Sequence, residues 1–166
     1  MKSGTEEIRG LIEKLKCTHP SGCDEVRGRL IGIGAPAVPQ LVRAFASREL
    51  DEKIQAAKAL GGIGSKESIM FLIEGMRSDD FETRYAAIQG LPLSGQKAIN
   101  PLMRELIEHG RETTFRSGAH AVLHQIAAAG YVKLLTPVLA ALEGPEPGLK
   151  APLAAHGVLE KTGQAV

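Results

Sequence analysis

Downstream of Gly34, Gly64 and Gly95 the apolar residues recur in one pattern: Val38, Leu41 and Phe45, then Ile69, Leu72 and Met76, then Ile99, Leu102 and Leu106. That is the i, i+3, i+7 spacing of one face of an α-helix. Upstream of the same glycines, Lys53, Ala56 and Leu60 match Arg84, Ala87 and Leu91: a long cation, a small residue and a leucine. The segments 29–45, 58–76 and 89–106 align with the three glycines in register, at steps of 30 and 31 residues. Two helical patterns per step predict stacked helix pairs, because a single pair cannot bury its apolar face alone.

A fourth unit keeps Arg116, Ala119 and Leu123, but seven residues rather than four separate Leu123 from Gly130, which predicts a helix about a turn longer over 112–128. Leu135, Val138 and Leu142 restore the second-helix pattern, and Pro152, Ala155, Leu159 and Gly163 read as the first helix of a truncated fifth unit. Ile8, Leu11, Ile12 and Leu15 form an amphipathic stripe behind a Thr5 cap. The expected helices lie near 5–16, 22–33, 36–47, 51–62, 66–77, 80–92, 96–109, 112–128, 132–143 and 149–161, with no strand pattern. Ser65 is placed to cap the helix that begins near Lys66. Pro36, Pro39, Pro101 and Pro137 are expected in first turns of second helices, where a missing amide hydrogen costs little. Gly28, Ala56, Ala57, Ala86, Ala87 and Gly90 are small enough to let neighbouring helices approach closely. The fold class expected is all-α, a right-handed α-α superhelix (solenoid) of about four and a half helix pairs. It forms a single domain over 1–166, with a capping helix in 1–21 and repeats over 22–163.

"TRYAAIQGLPLSGQKAINPL" (83–102) and "GIGAPAVPQL" (32–41) resemble the short HEAT-like repeats of phycobilisome lyase subunits, whose unit reads roughly Arg, Ala, Leu, Gly, then Ala-Ile-Pro-x-Leu. The resemblance spans about 22–163 and implies a solenoid whose second helices line the concave, partner-binding side. It also implies a second function class, a lyase-like or chaperone-like subunit acting with a partner on a cofactor-bearing protein.

Composition narrows the chemistry. Twenty Lys and Arg against 19 Asp and Glu leave a net charge of +1, so no global field draws the chain to nucleic acid or an anionic membrane. HEAT-like DNA glycosylases need aromatic platforms and a basic groove; this chain has no Trp, two Tyr and four Phe. The deoxyhypusine hydroxylase type needs His-Glu dipeptides, and here only the reversed Glu108-His109 occurs. "GIGAPA" at 32–37 superficially matches a dinucleotide turn, but the glycine recurs at Gly62 and Gly64 without the rest of the signature, so it reads as a repeat turn. Cys17, His19 and Cys23 are an incomplete set of zinc ligands; the alternatives are a disulfide across five residues or two reduced thiols, and in a chain with two cysteines and no secretion signal reduced thiols are the default. No nucleophile elbow is present. Charges at Lys2, Glu6, Glu7, Arg9, Glu13, Lys14 and Lys16 interrupt any leader core, and no run of about 18 apolar residues exists. The expected protein is cytoplasmic, non-enzymatic and without cofactor or metal.

What remains is a surface. Subtracting core positions from the second helices leaves Gln40, Arg43 and Ser47, then Phe71, Glu74 and Ser78, then Pro101, Arg104 and Glu108. Gln40, Arg43, Phe71, Glu74, Arg104 and Glu108 are the expected partner-binding residues, with Phe71, beside Met70, as an apolar anchor. A second face is expected on the stretched helix, where Arg116, His120 and His124 lie together and the two histidines, four residues apart, face solvent. The partner class expected is another protein.

Overall fold

Five glycines, Gly34, Gly64, Gly95, Gly130 and Gly163, carry φ angles of 75°, 57°, 54°, 121° and 70°. They are the glycines that set the repeat register. Only a residue without Cβ takes this left-handed backbone freely, so the first four stand between one helical segment and the next, and Gly163 follows the end of α10. In the computed structural model, which describes residues 4–16 and 20–163, ten α-helices lie between these punctuation points: α1 Gly4–Glu13, α2 Pro20–Ile33, α3 Val38–Phe45, α4 Leu50–Ile63, α5 Lys66–Gly75, α6 Phe81–Gly90, α7 Gln96–His109, α8 Thr113–Ile126, α9 Val132–Glu143 and α10 Pro147–Lys161. Short 3-10 turns precede α3 (Ala35–Ala37) and follow α6 (Leu91–Ser94). The fold is all-α, and the described residues contain no strand.

Local chemistry agrees in part with expectation. The Ser65 hydroxyl accepts the Ser68 amide at the start of α5, and the Asp80 carboxylate accepts the Thr83 amide at the start of α6. Thr5, by contrast, lies inside the first turn of α1 rather than capping it. Pro101 and Pro137 sit six residues into α7 and α9, a turn later than expected, so each removes one helical hydrogen bond.

The chain divides into two compact units, one up to Ser94 and one from Gly95 onward. In the first unit, α4 packs along α2 on one side and α6 on the other. The α4–α6 seam is backbone against backbone: a Cβ on Gly90 would stand 2.3 Å from the Ala57 carbonyl oxygen, and one on Gly61 would stand 2.0 Å from the Gly90 oxygen. The Ser94 hydroxyl donates to the Gly61 carbonyl at 3.0 Å and seals one end of this seam. Lys53 closes the other end, donating to Asp80 at 2.9 Å and to Thr83 at 3.1 Å. Hydrogen bonds from the Thr83 hydroxyl, from Lys53 and from the Thr83 amide hold the Asp80 carboxyl well below the usual carboxylate range. Gly28 has open space around it, so it does not belong to the close-packed set.

On the opposite side of the first unit, α1, α3 and α5 form a second layer. The Gln40 amide donates to the Thr5 carbonyl at 3.4 Å, so the N-terminal ends of α1 and α3 meet. Beyond their C-terminal ends, Lys16 and Ser47 converge on the buried Glu52, at 3.6 Å and 2.6 Å. α1 and α3 therefore run parallel, side by side. α5 follows on the other flank of α3, with the Phe45 and Phe71 rings edge to face at 5.2 Å and Gly75 leaving room for Phe45.

The second unit packs differently from a repeated stack. α10 lies along α7 and α9 rather than along α8. Thr162 meets Asn100 at 3.0 Å at one end, and Gly110 meets Pro152 at the other, which makes α7 and α10 antiparallel. The three extra residues of the fourth repeat do not lengthen a straight helix: they form a wide π-type turn over Ala127–Tyr131, broken at Gly130. This break also matters for the stretch Thr113–Glu143, which reaches a mean hydropathy of 1.4 over 18 residues. It divides the stretch into helices of 14 and 12 residues, each shorter than the ~20 needed to span a bilayer.

Candidate functional site

The long cation of each repeat is structural. Arg84 donates from one guanidinium nitrogen to the carbonyls of Ser78 and Asp79, both at 2.8 Å, and Arg116 donates to those of Gly110 and Arg111 at 2.9 Å and 2.8 Å. Both reach back six and five residues to tether the loop before their own helix. Lys53 at the matching position reaches forward to α6 instead. Arg116 also donates to the Thr113 hydroxyl at 3.1 Å, so its guanidinium is committed to this loop.

On the layer of α1, α3 and α5, the residues that point away from the core form two rows. One is Thr5, Gln40 and Phe71, tied by the Gln40–Thr5 hydrogen bond. The next, one helical turn on, is Arg9, Arg43 and Glu74, all three exposed. Met70 is 38% exposed and stands beside Phe71 on α5. Phe71 itself is half-buried against Phe45, so it forms the floor between α3 and α5 rather than a free-standing anchor. Glu74 pairs with Arg77 at 3.5 Å across one turn of exposed surface, a contact of little energetic weight. Arg43 and Arg9 have no ion-pair or hydrogen-bond partner among the described residues. Arg104 and Glu108 are exposed on α7 in the second unit.

The second expected face, on α8, also forms in the second unit. The His120 and His124 rings pack edge to face at 6.0 Å. His120 is half-buried and bonds Glu143 at 2.9 Å, while His124 is exposed. Beside them a groove of about 330 Å³ is lined by Thr113, Arg116, Ser117, His120, Leu142 and Pro147. Among the described residues no three His, Cys, Asp or Glu side chains are placed to hold a metal ion. Cys17 and His19 lie outside the described residues. Cys23 is buried and disulfide-bonded, not the reduced thiol expected from composition.

The family model for HEAT repeats matches residues 38–124, just over half of the chain. The chain belongs to the HEAT-repeat family. No curated protein matches it. The HEAT match runs from the start of α3 into α8, so it contains the Arg43, Phe71, Glu74 and Arg104 positions but not α1. Arg9 is exposed in the capping helix, outside the repeat alignment, so the repeat pattern does not point to it. The signal that finds it is the parallel pairing of α1 with α3, which makes the cap a continuation of the second-helix layer.

Proposed function

We propose that this HEAT-repeat protein is a non-enzymatic scaffold or adaptor that binds another protein through the outward faces of its second helices. Gln40, Arg43, Phe71 and Glu74 serve in the first unit, and Arg104 and Glu108 in the second. HEAT repeats generally mediate protein–protein contacts, because stacked helices present a broad surface instead of a closed pocket. The observation that carries the reading is the α1, α3 and α5 layer. It presents a partly exposed Met70 next in sequence to Phe71, which packs on Phe45, with the charged Arg43 and Glu74 exposed on the same layer, in keeping with the apolar-centre and polar-rim arrangement of protein interfaces. The setting we assign is cytoplasmic, with no cofactor and no metal. The resemblance of residues 83–102 and 32–41 to phycobilisome lyase repeats supports a second reading, a lyase-like or chaperone-like subunit acting with a partner on a cofactor-bearing protein.

The test is a quantitative capture assay with the partner recovered by the wild-type chain. Met70→Ala combined with Arg43→Glu is expected to weaken capture at least ~10-fold while moving the melting temperature by less than about 2 °C, since both side chains are surface groups. Phe71→Ala is a poorer probe, because it also removes the packing on Phe45. Undiminished capture by the double variant moves the site off this layer.

A further inference from the structure

The charge on the α1, α3 and α5 layer assigns a chemistry to its partner. We propose that this face takes an acidic segment carrying one large apolar side chain: the apolar group lies over Phe71 and Met70, and the carboxylates lie between Arg9 and Arg43. The inference rests on the protein-binding reading above and deepens it.

Three observations converge. The ends of α1 and α3 are pinned in register, Gln40 to Thr5 at one end and Lys16 and Ser47 to Glu52 at the other, so Arg9 and Arg43, each one turn on from that first contact, share a row. Both arginines are exposed, and neither has a partner among the described residues. Elsewhere in the same unit Arg27, Arg29, Arg77 and Arg84 are each engaged, with Asp24 and Gln55, Glu7, Glu74, and the Ser78 and Asp79 carbonyls respectively, while Arg48, exposed after the end of α3, has no partner among the described residues either. Two unengaged guanidinium groups on neighbouring helices match carboxylates by their planar fork geometry, and they lie to one side of the apolar spot on α5. Of the carboxylates on the layer, Glu74 lies 3.5 Å from Arg77, and Glu6 and Glu13 are exposed on α1, three residues before and four after Arg9. A basic segment of the same apolar content would meet like charge at Arg9 and Arg43.

Two synthetic 12-residue peptides decide the matter, one with two leucines flanked by glutamates and one with lysines in place of the glutamates. Each is titrated into the ¹⁵N-labelled full chain and followed by NMR. The acidic peptide is expected to shift the amides of α1, α3 and α5 and the side-chain signals of Arg9 and Arg43, and Arg9→Gln with Arg43→Gln to weaken it about 10-fold. Raising salt from about 50 to 200 mM should weaken it too. Binding of the lysine peptide with equal strength on the same helices overturns the acidic chemistry and leaves the docking face standing. Shifts confined to other helices, or none with either peptide, overturn both. The glutamine pair, which retains exposed polar side chains, serves as the variant that folds; unaltered affinity in it also overturns the inference.

Discussion

Gly90→Val is expected to unfold the first unit or to destabilise it by about 3 kcal/mol or more. The Cβ it adds would sit 2.3 Å from the Ala57 carbonyl oxygen and 2.8 Å from the Ala57 Cβ, and the branched γ carbons have nowhere to go. Neither obstacle is the movable end of a side chain, so α4 and α6 must separate. That separation would loosen the Ser94 bond to Gly61 and the Lys53 bonds to Asp80 and Thr83, which close the two ends of the seam. Overpacking a well-filled interior ordinarily costs about 1–3 kcal/mol, and backbone obstruction places this case at or above the top of that range. Gly90→Ala should show a smaller loss of the same sign, while Gly28→Ala, in open space on α2, should be neutral or slightly stabilising through helix propensity. Thermal unfolding of the three variants checks the order; a Gly90→Ala protein as stable as wild type would mean that the seam is not close-packed.

Phe115→Ala is the second large effect, with an expected loss of about 3–5 kcal/mol. Phe115 is fully buried in α8, and its ring meets His109 edge to face at 6.3 Å. With Val122 and Ile126, also fully buried, it is the apolar stripe that the stretched repeat carries into the second unit. The melting temperature of this unit should fall by roughly 12 °C or more. Hydrogen exchange should rise in α7 to α10, whose core the substitution opens. A change below about 1 kcal/mol would show that the interior of the second unit is loosely packed.

The repeat was legible because it is periodic. A glycine every 30 or so residues and apolar residues every three or four gave ten helices and the five left-handed turns, since backbone conformation and amphipathic spacing are local properties. Close packing at Ala57 and Gly90 could be read in the same way, from small residues at matching positions. The departures come from contacts with no period. Pro152 occupies the place of the repeat's long cation and rests on Gly110, and with Thr162 on Asn100 it is one of the long-range contacts that hold α10 on α7. The seven-residue spacing before Gly130 fits equally a longer helix or a wide turn, and only packing chooses between them. Phe71 looked free because its ladder is polar; its neighbour Phe45 belongs to a different helix and a different repeat. The arginine pair was hidden for the complementary reason, since Arg9 lies in the capping helix, before the aligned repeats.

The claim that protein binding occurs on the layer of α1, α3 and α5 is tested most directly by site-specific photocrosslinking in native lysate. A photoreactive phenylalanine is placed at Met70, on that layer, and in separate chains at Leu93 and Leu153, which are 52% and 70% exposed and belong to other elements. The account predicts a discrete crosslinked adduct from position 70, reduced when Arg9→Gln and Arg43→Gln are added, and no adduct of the same mass from 93 or 153. An adduct that forms from 93 or 153 and not from 70 would contradict it.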